Sequence, residues 1–151
     1  MGRSVTPPGS GPHRRGSPLY AVDTMVFVYH FEAHPQFGPP ATRLLQVAET
    51  GRCRLVASVL ALMEVLVVPR RAGRDDLCAR YRDFFNHFPN LAVVPFDADI
   101  AELAADLRAK HALRTPDAIH VATAIRSGAS AFVTNDARLR VPGGIAIKAL
   151  G

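Results

Sequence analysis

Apolar residues along the chain fall into two patterns. Short continuous runs stand at Leu19-Tyr20-Ala21-Val22, Leu55-Val56-Ala57 after Arg54, Leu91-Ala92-Val93-Val94, Ala131-Phe132-Val133 and Ile145-Ala146-Ile147. Each has the length of a buried strand. Between them apolar positions recur at helical spacing. Pro40 to Thr50 predicts a helix with Leu44, Leu45, Val47 and Ala48 inward and Gly51 as its stop. Val59 to Val68, capped by Ser58 and broken at Pro69, is apolar on every side except at Glu64 and predicts a buried helix. Asp75 to His87 is amphipathic, with Leu77, Tyr81, Phe84 and Phe85 inward, and Asp97 opens a helix carrying Ile100, Leu103, Ala104 and Leu107. Pro142-Gly143-Gly144 is a turn before the last strand. No internal repeat appears, and strands alternate with helices, so the chain is expected to form one α/β domain around a mostly parallel sheet.

The stretch from Arg114 to Ile125 is the best-signalled helix start. Thr115 is expected to cap it, Pro116 suits the first helical position, and Ala118, Ile119, Ala122 and Ile125 give a narrow apolar face. Asp117 then lies in the first turn, either as a simple complement to the positive helix end or as a group doing chemistry. His120, one turn on, has no assigned role. Two more acidic residues follow strands: Asp23 after Val22, and Asp136 in Thr134-Asn135-Asp136 after Val133. Functional groups of open parallel sheets collect at the carboxyl ends of strands, so Asp23 and Asp136 are expected at one edge. Glu64 is the sharpest signal, because an ionised carboxylate inside an apolar helix needs a cation, a metal or water beside it.

Length and composition add bounds. A chain of 151 residues favours one domain that buries roughly 68–70% of its unfolded surface. Residues 1–17 hold Gly, Pro, Ser and Arg with almost no apolar side chain and are expected to form a disordered tail, leaving 18–151 as the folded domain. Basic residues there are not followed by the apolar core of a signal peptide, no run is long enough to span a bilayer, and Cys53 and Cys78 make neither a disulfide framework nor a zinc ribbon. A reducing cytoplasm is expected. The net charge of +5 is carried almost wholly by arginine, since Lys110 and Lys148 are the only lysines. It points weakly to a polyanionic partner, with Arg70, Arg71, Arg74, Arg80 and Arg82 as phosphate contacts or simply a solvated face.

Two chemistries are disfavoured by local pattern. An aspartyl-nucleophile phosphatase needs a second Asp where Met25 stands. His30 and His34 are one turn apart, yet Phe31 occupies the place of the metalloprotease Glu, so both are expected at the surface or a helix end and not on metal. Four carboxylates at one edge repel: at about 5 Å and an effective dielectric near 20, each pair costs roughly 3 kcal/mol. A divalent cation removes the conflict, and oxygen-only ligands favour magnesium or manganese over zinc. A water bound to such a cation in line with a phosphodiester is a nucleophile held in place.

Asp23-Thr24 after a strand, Glu64 in an apolar helix, Thr115-Pro116-Asp117-Ala118 with Ala122-Thr123-Ala124, and Thr134-Asn135-Asp136 after a strand, in that order, resemble the PIN-domain ribonucleases. More closely they resemble the VapC-type toxins of type II toxin–antitoxin pairs. The likeness spans Leu19 to Ala149. It implies a three-layer α/β/α sandwich and magnesium- or manganese-dependent cleavage of RNA that leaves a 5′-phosphate and a 3′-hydroxyl. It also implies a homodimer and a cognate antitoxin as partner. By the same resemblance Asp23, Glu64, Asp117 and Asp136 form the acidic metal site and Thr134 orients water or metal. The fourth position is the most open, with Asn135 or Asp99 as candidates beside or instead of Asp136, although Asp99, in the first turn of its helix, is first expected to complement the helix dipole. The alternatives are a PIN-type nuclease of RNA processing and a non-catalytic module that binds protein or RNA.

Overall fold

The computed structural model describes residues 16–136, 139 and 145–151. The expected tail lies outside them except for Gly16 and Ser17, as does the turn at Pro142-Gly143-Gly144. Ser17 is buried, and its carbonyl accepts a hydrogen bond from Arg54.

In chain order the elements are β1 (Leu19–Val22), α1 (Thr24–Phe31), α2 (Gly38–Glu49), β2 (Arg54–Ser58), α3 (Val59–Arg71), α4 (Asp75–His87), β3 (Leu91–Val94), α5 (Ala98–Lys110), α6 (Thr115–Arg126), β4 (Ala131–Thr134) and β5 (Ala146–Ala149). The five strands form one sheet in the order β3-β2-β1-β4-β5, and every pairing is parallel. Side chains alternate across it. Val22, Leu55, Ala57 and Val133 pack against α1 to α4, and Ala21, Val56 and Phe132 pack against α5 and α6. Period-two alternation in apolar strands thus builds two cores and a three-layer α/β/α sandwich.

The strand order has a consequence for function. The chain adds β2 and β3 on one side of β1, then returns through α5 and α6 to place β4 on the other. Right-handed crossovers put the outgoing and returning helices on opposite faces, so the carboxyl ends of β1 and β4 flank the reversal point where parallel sheets open a crevice. Tyr20 to Val22 lie in register with Ala131 to Val133, which brings Asp23 and the Thr134–Asp136 segment to the same level.

Local chemistry differs from expectation in three places. Arg114, in extended conformation, caps α6, so Thr115 and Pro116 become its first two residues and no side chain caps the helix. Proline is tolerated there because first-turn N–H groups have no intrahelical acceptor. Pro69 does not break α3, which runs on to Arg71; the missing hydrogen bond falls in the last turn and the ring is buried. Nor is α3 a buried helix. Only Ala61, Val65 and Pro69 are buried, while Val59, Met63, Val67 and Val68 are exposed, Met63 to 55%. The helix is apolar all round because one side meets the core and the other presents an apolar surface. No helix among the described residues is long and apolar enough to cross a membrane.

His30 is half-buried in the last turn of α1, so of the two expected places it takes the helix end and not the open surface. It is hydrogen-bonded to Thr42 (2.8 Å) and packed on Phe31 and Phe84, and burial pushes its pKa below the usual imidazole value. His34 follows α1 and accepts the Gln36 and Phe37 N–H groups. The larger core centres on Phe27, fully buried in α1 against Phe31, Phe84 and Phe85. Phe27→Ala removes the ring shared by α1 and α4 and is expected to cost about 3–5 kcal/mol of stability, read as a lower urea midpoint at unchanged slope.

Candidate functional site

A cavity of about 730 Å³ opens at the reversal point, and all five residues singled out from the sequence line it: Asp23, Glu64, Asp117, Thr134 and Asp136. Thr24, Met25, Arg114, His120 and Asn135 line it too. Five elements bring these residues together. Asp23 leaves β1 and caps α1, its Oδ1 accepting the Met25 N–H at 2.9 Å. Glu64 stands in the second turn of α3, which starts directly from the end of β2. Asp117 is in the first turn of α6, and Thr134 ends β4 with Asn135 and Asp136 just beyond. Asp99 is apart: it is exposed at the start of α5, pairs with Arg126 at 3.5 Å and does not line the cavity, whereas Asn135 does.

The carboxylates are held by different donors. Thr134 donates its hydroxyl to Asp23 Oδ2 and accepts the Asp136 N–H at 3.1 Å, so one buried oxygen ties the ends of β1 and β4 together. Glu64 Oε1 accepts from the Thr24 hydroxyl at 2.7 Å and from His120 Nε2 at 2.8 Å. Asp117 pairs with Arg114 at 3.1 Å, but that arginine is 79% exposed, so the pair is weak and easily exchanged. The helix-end reading of Asp117 and its presence at the site therefore hold together.

Burial acts on two of these acids with opposite results. Desolvation raises the Asp23 pKa, and its hydrogen bonds from Thr134 and the backbone do not offset it. Glu64 is lowered, because the hydrogen bond from His120, with that of Thr24, outweighs its desolvation. Glu64 therefore has the partner its apolar helix demanded, supplied by α6. Among the described residues no three His, Cys, Asp or Glu side chains stand close enough together to hold a metal ion. The acids share a cleft without forming a closed ligand cage.

Sequence reasoning left three lining residues without a role: Thr24, Arg114 and His120. The signal for His120 was available. A histidine amid Ala118, Ile119, Val121 and Ala122 and a glutamate amid Met63 and Val65 are each the lone polar group of an apolar helical stretch, and two such groups in one domain satisfy each other when paired. Of the arginines noted as phosphate contacts, Arg74 is engaged by Asp76 in a two-bond surface pair, and among the described residues the arginine lining the cleft is Arg114.

An acidic cleft at the reversal point of an all-parallel sheet, walled by the starts of helices, defines the class: an α/β protein of the PIN type. Residues 20–144 match the PIN domain, and the chain belongs to that family. No curated protein matches it in sequence. Solved structures share the fold at low identity. The DNA-bound VapBC2 of Rickettsia felis is 17% identical at a TM-score of 0.70, covering 88% of this chain and 99% of that one. The DNA-bound VapBC of Salmonella typhimurium is 20% identical at 0.69, covering 89% and 99%. VapC20 of Mycobacterium tuberculosis, a toxin that cleaves the sarcin–ricin loop, is 18% identical at 0.62, covering 75% and 86%.

Thr134→Val keeps the shape of this side chain and removes the hydroxyl bonded to both Asp23 and the Asp136 N–H. It is expected to lower stability by about 1–3 kcal/mol in chemical denaturation, with Thr134→Ser, which keeps the hydroxyl, recovering most of the loss.

Proposed function

We propose that the chain is a magnesium- or manganese-dependent endoribonuclease acting as the toxin of a type II toxin–antitoxin pair. The observation that carries this reading is the meeting of Asp23, Glu64, Asp117 and Asp136 in one cleft at the sheet's reversal point. The donors are carboxylate oxygens joined by the Asn135 amide, a set that suits a hard divalent cation better than zinc. A cation in the cleft, with the carboxylates of Asp23, Glu64, Asp117 and Asp136 drawn in around it, would supply charge against a backbone phosphate and lower the pKa of a water beside it.

The protein's own contributions follow from the contacts. His120 and Thr24 keep Glu64 ionised and oriented. Thr134 holds Asp23 at the end of β1. Arg114, exposed at the rim, offers a planar guanidinium to the phosphates of a bound strand. The family resemblance implies that such cleavage leaves a 5′-phosphate and a 3′-hydroxyl. Cleavage of the sarcin–ricin loop by the mycobacterial toxin supports RNA as substrate, and the relatives solved as VapBC complexes support an antitoxin partner. The exposed apolar row of α3 supports protein partners, including a second copy of the chain, because exposed patches of that kind mark interaction sites. A non-catalytic binding module, the alternative from another class, has no need of four acids lining one cleft.

Asp117→Asn tests the assignment. It is expected to abolish magnesium-dependent cleavage of RNA while the fold is kept and the melting temperature without metal is unchanged or raised, because repulsion falls. Full activity in the variant removes Asp117 from the site. In cells, induction of the wild-type chain is expected to slow growth and create magnesium-dependent RNA ends, relieved by co-expression of the small reading frame beside its gene; induction with neither effect refutes the toxin reading.

A further inference from the structure

His120 is 5% exposed, and its Nδ1 is buried with no hydrogen-bond partner among the described residues. A histidine kept for packing alone would have both ring nitrogens satisfied or be replaced by an apolar residue of its size, since an unpaired buried polar atom is costly. All of its polar engagement runs through Nε2, which lies 2.8 Å from Glu64 Oε1 and 3.2 Å from the Thr24 hydroxyl. A carboxylate only accepts, so Nε2 carries the proton. Thr24 donates to the same oxygen, and Oε2 of Glu64 accepts no hydrogen bond from the described residues. The arrangement is one-sided: two donors from α1 and α6 grip one oxygen of an acid on α3, on the wall of the acidic cleft.

We propose that His120 is a positioning residue, whose Nε2–H, with the Thr24 hydroxyl, clamps Oε1 of Glu64 so that Oε2 is presented to a divalent cation in the cleft. The inference rests on the reading of the cleft as a metal-dependent nuclease site. His120 itself takes no part in proton transfer, because Nε2 is committed to Glu64 and Nδ1 faces the protein interior. Its contribution is the one that donors behind a metal ligand make generally, fixing the ligand's orientation before the cation arrives.

The test uses the full chain with manganese alone as probe, measured by titration calorimetry and by the manganese-induced rise in melting temperature, alongside cleavage of RNA across manganese concentrations. His120→Leu keeps the volume and removes the donor. It is expected to weaken manganese binding about 10-fold or more and to raise the manganese concentration for half-maximal cleavage by the same factor. His120→Gln sets an amide N–H where Nε2 stands and is expected to restore both, whereas His120→Asn, too short to reach Glu64, is not. Equal manganese affinity in wild type and His120→Leu overturns the proposal, as does equal affinity in the Gln and Asn variants if the Leu variant does not fold. If Asp117→Asn abolishes manganese binding while His120→Leu leaves it intact, the nuclease reading stands and the clamp alone is lost. If the wild type neither binds manganese nor cleaves RNA, both fall.

Discussion

The reversal of strand order between β1 and β4 is the constraint on which the rest depends. A parallel sheet that grows first to one side and then to the other must send its crossovers over opposite faces, and the two sets of helices part at the reversal. The gap cannot be closed by the sheet's own hydrogen bonds. Whatever polar groups end β1 and β4, and whatever helix starts lie beside them, face one another across it. In this chain those groups are Asp23 and the Thr134–Asp136 segment, with Asp117 at the start of α6 and Glu64 on α3. The acidic cleft is thus a product of topology first and of side-chain chemistry second.

Within the cleft, burial and donor quality together set the direction in which each carboxylate's pKa moves. Asp23 and Glu64 both lose hydration, but Asp23 receives a hydroxyl and backbone N–H groups, whereas Glu64 receives an imidazole as well as a hydroxyl. The shifts consequently run in opposite directions. The helices permit this because of their size: α6 is buried from Ala118 to Ala124, and its alanines bring His120 near enough to α3 for a direct bond. A bulkier α6 would stand further off, and Glu64 would lack its strongest donor.

The fold was largely legible in the sequence, and so were the acids that line the cleft. The bounds of β1, α4 and β3 were readable to the residue, since a continuous apolar run or a full amphipathic repeat has few alternative readings. Pro69 misled because a proline's cost depends on where it falls in a helix, and its buried ring in the last turn is a tertiary fact. Glu64 pointed to a site through its apolar surroundings, but the expectation of a fully buried helix was wrong: the run from Val59 to Val68 has the hydropathy of a core helix while half of it faces outward. Hydropathy cannot separate burial in a core from an apolar surface left for a partner, because both remove the same groups from water.

Asp99 and Arg114 show the same limit at the level of single residues. Both lie at helix starts and carry charge, yet Asp99 faces solvent with Arg126 while Arg114 lines the cleft, because α5 and α6 begin at different places relative to the reversal point. Residue order alone determined the alternation of strands and helices, the parallel sheet and the acids that end strands or begin helices, since these follow from local periodicity and helix-end chemistry. Tertiary packing decided which of those charges meet, that Glu64 is gripped by His120 and Thr24, and that α3 keeps an apolar face, since contacts between groups 40 to 111 positions apart arise only when the sheet has set their distance.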